Sequence, residues 1–281
     1  MRIMITGGRG MLARTLLQEL AEHELVPVDM QEADITDAAS VAALFDRVRP
    51  EAVIHCAALT QVDDCEAKRE LAFRVNADGA GNVAAACRQF GARMIAISTD
   101  YVFAGDLDRP YRESDPAVGA RTVYGQSKRA GEEQVFAQCP EALVCRISWL
   151  YGPGGPSFVH TMLKLADGTR PVLKVVDDQH GNPTSTLAVA HHLGLLLERP
   201  EVTGVVHLTC EGEATWFEFA QEIFRQYGIA QNVEPCTTDQ YPRPAPRPAN
   251  SRLEKARLRE LGMPPMPDWR AALAQFVIRN S

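Results

Sequence analysis

Apolar residues recur along this chain in two alternating rhythms. Residues 2–5 read as a short buried strand, the turn TGGRGM follows, and Leu12, Leu16, Leu17 and Leu20 then return at helical spacing before the run LVPV closes on Asp29. Strand, helix and strand in that order make one β-α-β unit. The alternation continues with a helix near 38–48, a strand at 52–57 (AVIHCA), a helix near 66–89, a strand at 93–98 (RMIAIS), a helix near 123–138 and a strand at 142–148 (ALVCRIS). Strands apolar throughout, separated by amphipathic helices, predict a parallel sheet covered on both faces. The expected fold class is therefore α/β, with a Rossmann-type doubly wound parallel sheet and a smaller C-terminal substrate-binding lobe.

Past residue 150 the punctuation changes. YGPGGPS, the loop DDQHGNPT at 177–184 and the proline-rich YPRPAPRP at 241–248 break the chain into shorter elements. Residues 1–150 are expected to bind a dinucleotide and 151–281 to form mainly the substrate-binding lobe, with parts of 185–215 packing back on the first domain. The proline cluster reads as a rigid surface connection.

Composition narrows the partners. At 281 residues, 46% hydrophobic and 23% charged, the chain can bury an ordinary core, and its net charge of -7 argues against nucleic acid or an anionic membrane. A small-molecule partner is expected. No stretch is long enough to cross a bilayer and the N-terminus lacks a signal peptide, which predicts a cytoplasmic protein. The seven cysteines include no CxxC pair and read as reduced core thiols.

The first turn sets Gly7, Gly10 and Ala13 in a G-x-x-G-x-x-A spacing between a strand and a helix. Small residues there let the backbone approach a pyrophosphate, whose charge the N–H groups of the helix N-terminus stabilise. Gly7, Gly10, Met11 and Leu12 are thus expected to cradle a dinucleotide. Asp29 ends the second strand, where a carboxylate accepts hydrogen bonds from the adenosine ribose and repels a 2′-phosphate. That leans towards NADH, although Arg9 in the turn could neutralise such a phosphate. Asp34 and Ile35 lie where an adenine edge could be gripped; a helix N-cap role for Asp34 or Asp37 is the other reading.

Tyr124 and Lys128, in TVYGQSK, stand four positions apart and so share one face of a helix. A nearby ammonium favours the phenolate, and together with an oxidised nicotinamide in a dry cleft it is expected to shift the Tyr124 acidity towards neutrality, fit for proton transfer. Thr99, just past the strand RMIAIS, is placed to hydrogen-bond a substrate carbonyl beside that phenol. Ser98 reads as a strand-end hydroxyl that caps backbone.

TGGRGMLA, STDYVF and YGQSK, in this order and spacing, resemble the extended short-chain dehydrogenase/reductases. Within that superfamily the chain is most similar to the dTDP-4-dehydrorhamnose reductases, through HCAALTQVDDCE, RVNADG, PYRESD, RISWLYGPGG, DDQHGNPT and RPANS. The resemblance implies NADPH or NADH as cofactor, a dTDP-sugar as substrate, and Thr99, Tyr124 and Lys128 as catalytic residues, with Lys128 also holding the nicotinamide ribose. It implies that Ala57, Ala58 and Leu59 line the cofactor and that Asn76 supports a proton relay. It places Trp149 as an aromatic wall beside the sugar, Asp100 and Tyr101 near the same pocket, and Gln179, Gly181, Thr184 and Arg247 towards the nucleotide-sugar. Some relatives dimerise through magnesium held by glutamates; Thr15 occupies one of those positions, so no essential metal and a monomer or weak homodimer are expected. Dehydratases of the superfamily carry a glutamate where this chain has Tyr101, which favours simple reduction. A 4-ketoreductase of another nucleotide-deoxysugar, and a non-catalytic regulatory subunit like methionine adenosyltransferase beta, are the competing readings.

Overall fold

In the computed structural model, which describes residues 1–280, the middle layer is a six-stranded parallel sheet. Its first half follows the expected alternation: β1 (Arg2–Thr6), α1 (Met11–Glu19), β2 (Glu24–Val28), α2 (Ala38–Val48) and β3 (Ala52–His55). Four helical pieces come next, α3 (Val62–Ala67), α4 (Arg69–Phe73), a π-helical segment (Arg74–Gly79) and α5 (Ala80–Phe90). Then follow β4 (Arg93–Thr99), a 3₁₀ turn (Asp100–Val102), α6 (Val123–Gln138) and β5 (Leu143–Ile147). The second half contains β6 (Leu150–Tyr151), α7 (Phe158–Leu165), β7 (Val172–Val176), β8 (His180–Gly181), β9 (Thr184–Ser185), α8 (Thr186–Leu197) and β10 (Gly204–His207). It ends with β11 (Ala214–Thr215), α9 (Trp216–Tyr227), β12 (Asn232–Cys236), α10 (Ala256–Glu260) and α11 (Trp269–Asn280).

The strand order β10-β5-β4-β3-β1-β2 makes β1 the point where the winding reverses, since β2 pairs with one side of it and β3 with the other. Ligands of such sheets bind beyond the carboxyl ends of the strands at that point. Side chains alternate across the pleat, so Ile3, Ile5, Ile54 and Ile95 face one apolar core while Met4, Val53, Met94 and Val144 face the other. Inward contacts on both faces explain why these strands are apolar along their whole length.

Two expectations need correction. The single helix near 66–89 is broken at Lys68 and again by the π-helical segment, because Asn76 and its neighbours shift register to meet Leu59 and α6. A 3.6-residue apolar pattern runs through such a wider turn without a visible break. The proline cluster is also more than a surface connection: Ala245 is fully buried and its N–H donates to Asp63 at 3.2 Å, pinning the loop on α3.

The first apolar core is continuous from α1 through α8, α9 and α11. The Thr15 hydroxyl sits inside it, donating to Thr186 at 2.8 Å where α1 meets α8. All seven cysteines are free, six of them buried. Among the described residues no helix is long and apolar enough to cross a membrane.

Candidate active site

Beyond the carboxyl end of β4 the chain turns sharply, and Thr99 controls the turn. Its hydroxyl accepts from the Tyr101 N–H at 3.3 Å and donates to Asp100 at 3.0 Å, and the Thr99 side chain lies near enough to the Tyr124 phenol to lower its pKa. Helix α6 brings Tyr124 there. It starts at Thr122, whose hydroxyl caps the Gly125 N–H at 2.9 Å. Two glycines let the helix lie against its neighbours. A Cβ at Gly125 would stand 2.2 Å from the Tyr101 carbonyl oxygen, and one at Gly131 would stand 2.2 Å from that of Asn76. Glycine inside a helix costs about 1 kcal/mol relative to alanine, so its presence twice on this face marks enforced close approach.

One turn beyond Tyr124, Lys128 is buried and its ammonium donates to the Ile97 carbonyl at 2.8 Å. Burial lowers its pKa to about 8, with the Glu132 carboxylate opposing the fall. The expected lowering of the phenol pKa needs an oxidised nicotinamide beside the ammonium, and the residues by themselves shift it the other way. Burial raises the Tyr124 pKa, Thr99 opposes it, and Asp100 adds to the rise. The lysine head is turned to the β4 backbone, so desolvation governs the phenol.

Behind Lys128 lies a buried ionic network. Arg146 grips Glu132 with two bonds, at 2.9 and 2.6 Å, and Ser98 donates to the same carboxylate at 2.5 Å. Arg146 also stacks over Phe103, 4.9 Å from the ring centre. Ser98 therefore bonds a side chain rather than capping backbone.

The residues of the glycine turn fit a cofactor cradle. Gly7 has φ +65°, and a Cβ there would lie 2.8 Å from the Ala57 nitrogen; a Cβ on Gly8 would meet Pro27 and Val28, each at 2.8 Å. Gly10 caps α1 with no side-chain bond, leaving the first-turn N–H groups at Met11 and Leu12 for an anion. Ala57, Ala58 and Leu59 are half-buried along the adjoining strand end. Asp29 accepts from the backbone N–H of Arg9 at 3.1 Å, while the Arg9 side chain reaches Gln31 at 2.5 Å and Glu32 at 3.6 Å. An acidic and a basic group thus stand together where the adenosine ribose would lie. Asp34 binds the Thr36 N–H and hydroxyl, whose bonds lower its pKa, and Asp37 is the cap of α2. Ile35 is buried against Gly79.

Asn76 holds neighbours rather than facing an open space. Its carboxamide accepts from the Leu59 N–H at 2.7 Å and donates to the Leu59 carbonyl at 3.1 Å and to Ser127 at 2.9 Å.

Around the second half of the site, the structure separates residues that the sequence grouped. Asp100 is buried beside Thr99, and desolvation pushes its pKa up to about 6 against the hydrogen bond from Thr99. Tyr101 packs edge-on to Tyr124 with ring centres 5.6 Å apart. Arg247 is paired with Asp63 through two contacts of 2.9 Å. Loop 177–184 works as a junction. Asp177 accepts from Thr215 at 2.6 Å, Asp178 from Thr238 at 2.6 Å, and Asn182 binds Gly212 and Leu253. Gln179 accepts from the Trp216 indole at 3.1 Å and donates to Thr238 at 2.9 Å, so its carboxamide is engaged at both ends. Thr184 is fully buried, and its hydroxyl donates to the Asn182 carbonyl at 2.8 Å and accepts from the Cys210 N–H at 3.3 Å. Its hydroxyl is thus engaged at the junction behind the loop. Trp149 lies on Trp216, a residue the sequence reading missed because one tryptophan at a helix start carries no pattern.

A parallel sheet wound in two directions, a glycine cradle after β1, and Thr99, Tyr124 and Lys128 assembled beyond β4 define a Rossmann-type short-chain dehydrogenase/reductase. More narrowly, the chain belongs to the RmlD substrate binding domain family, which matches residues 1–281. It is 42% identical to a dTDP-4-dehydrorhamnose reductase of Streptomyces griseus, over 98% of this chain and 92% of that protein. It is 40% identical to a probable dTDP-4,6-dihydroxy-2-methyloxan-3-one 4-ketoreductase of Streptomyces antibioticus, over 98% of this chain and 94% of the relative. Among solved structures, the dTDP-4-dehydrorhamnose reductase of Bacillus anthracis in complex with NADP superposes with a TM-score of 0.95 at 38% identity, covering 99% of each chain.

Proposed function

We propose that this chain is an NAD(P)H-dependent oxidoreductase that reduces the C4 ketone of dTDP-4-dehydro-L-rhamnose to dTDP-L-rhamnose, for polysaccharide synthesis. The observation that carries the reading is the convergence of Thr99, at the carboxyl end of β4, with Tyr124 and the buried Lys128 one turn apart on α6. Two hydroxyls so placed can both turn to one carbonyl oxygen and polarise it. A bound reduced nicotinamide would supply hydride to the carbonyl carbon. Tyr124 gives its proton to the oxygen as negative charge develops there. Burial keeps the phenol protonated at neutral pH, so the proton is in place, and charge developing on a bound nicotinamide would offset the raised pKa as the proton leaves. Lys128, with a pKa near 8, is largely cationic at neutral pH and would hold the nicotinamide ribose.

Gly7, Gly10, Met11 and Leu12 would take the pyrophosphate, Asp29 the adenosine ribose, with Arg9 beside it for a 2′-phosphate, and Ala57, Ala58 and Leu59 the nicotinamide side. Residues 151–281 would supply most of the sugar side, with Tyr101, Trp149 and Gly181 near the deoxysugar and Arg247 near the diphosphate in competition with Asp63. A reducing cytoplasm suits the seven free cysteines, and we take the enzyme to act there as a monomer or weak homodimer. The likeness to the Streptomyces antibioticus protein supports a second reading, in which the ketone belongs to another dTDP-deoxysugar.

The test is oxidation of NADH and of NADPH, followed by absorbance, with dTDP-4-dehydro-L-rhamnose generated in place by the upstream dehydratase and epimerase. Oxidation that requires the complete system and yields dTDP-L-rhamnose is the expected result. A folded protein that binds the dinucleotide but leaves it reduced would reject this substrate.

A further inference from the structure

The ring of Trp149 is covered on both faces. On one, the Trp216 indole lies parallel at 10°, with ring centres 3.5 Å apart. On the other, Gly181 approaches so closely that a Cβ there would stand 2.3 Å from Cε2, an atom of the ring junction that only a face exposes. Trp149 is also one of two described non-glycine residues with positive φ, at 46°; the other, Arg49, merely ends α2. A bulky residue in that region persists only where its surroundings hold it. What holds it here is the Thr184 N–H on its carbonyl at 3.2 Å, together with the sandwich. Trp216 is itself fixed. Its indole N–H donates to Gln179, its ring packs on Phe158 with centres 4.6 Å apart, and it opens α9 directly after a capping box at Thr215 and Glu218.

We propose that Trp216 is a positioning residue that locks Trp149 edge-on in the sugar subsite, so that the sugar meets the rim of a fixed indole and not its face. The proposal rests on the reading of Trp149 as a wall of that subsite. Trp216 contributes no contact to the substrate of its own; its effect passes wholly through Trp149. Gln179 belongs to the same device, since it aims Trp216.

The test uses the full-length chain saturated with NADPH and two stable probes, dTDP-L-rhamnose and dTDP, titrated calorimetrically; their difference isolates the sugar. Far-ultraviolet circular dichroism reports the stacked indole pair as an exciton couplet. In Trp216→Ala the couplet is expected to vanish, affinity for dTDP-L-rhamnose to fall about tenfold, and affinity for dTDP to stay within about twofold. Trp216→Phe keeps a stacking ring and restores most of the affinity. The double variant Trp149→Phe, Trp216→Ala is expected to bind no more weakly than Trp149→Phe alone, because the two residues act as one unit. Should the alanine variant prove unstable, Gln179→Leu gives the same pattern with about a threefold loss. Additive losses in the double variant, or an equal loss for dTDP alone, would overturn the proposal. If Trp149→Phe leaves the sugar affinity unchanged, the wall reading fails instead, while the couplet in Gln179→Leu and Trp216→Phe still decides whether Trp216 orients the ring.

Discussion

Replacing Glu132 by glutamine tests both the stability and the chemistry of the site. The carboxylate is 8% exposed and its partner Arg146 is 4% exposed, joined at 2.6 Å. The amide keeps the shape but leaves the guanidinium charge without its counter-ion. Removing one partner of a buried ion pair costs about 3 to 5 kcal/mol. For a chain of 281 residues the unfolding entropy is roughly 0.6 kcal/mol per degree, so the melting temperature is expected to drop by roughly 5 to 8 °C. The second effect is on acidity. Glu132 is the leading group that holds the Lys128 pKa up against burial. If the ammonium is the active form, turnover falls as pH rises through the Lys128 pKa near 8, and Glu132→Gln moves that limb to lower pH. Thermal unfolding and the pH profile of NADPH oxidation read the two effects separately. Glu132→Leu combined with Arg146→Met, which removes both charges, should recover much of the stability but not the limb. An unchanged melting temperature with an unmoved limb would refute the account of the network.

Three further outcomes follow from single residues. Asp100→Asn should stabilise the fold, because burial raises the native pKa from 3.8 to about 6; the neutral acid is favoured by the fold, so stability is greatest below pH 4 and declines as pH rises to 6. The asparagine removes a penalty of about 3 kcal/mol at neutral pH and gains nothing near pH 4, which denaturant melts at the two pH values check. Tyr124→Phe should reduce turnover about a thousandfold while the affinity for NADPH, measured by fluorescence titration, stays within about twofold; near-normal turnover would remove Tyr124 from the donor role. Gly131→Ala forces a Cβ to 2.2 Å from the Asn76 carbonyl oxygen, a backbone atom that cannot step aside; a loss of about 1 to 3 kcal/mol is expected in chemical denaturation.

How much of this was legible beforehand depended on whether a residue's role was local. The four-residue spacing of Tyr124 and Lys128 and the apolar runs of β1, β3, β4 and β5 are written in consecutive positions, and the helix bounds 38–48 and 123–138 agree with α2 and α6. The partner of the Lys128 head was not, because a lysine with a backbone carbonyl in reach bonds to it whatever its helical phase. The pairing of Glu132 with Arg146 is not written in the neighbourhood of either residue. One signal did exist: an arginine in the middle of ALVCRIS, a strand otherwise apolar, needs a buried partner. Trp216, Asp63 and Asn182 could not be found this way, since each acts on a residue more than thirty positions distant in sequence.

The last strand of the sheet has a consequence for how the chain is made. β10 pairs with β5 along Gly204–His207, more than fifty residues after β5 leaves the ribosome. Until then the outer rim of β5, with Val144 and Cys145 on it, is an open template for any other strand in the cell. Nascent chains that stall between β5 and β10 should therefore be the ones that recruit chaperones or aggregate, and a fragment ending at residue 150 would carry that open rim permanently.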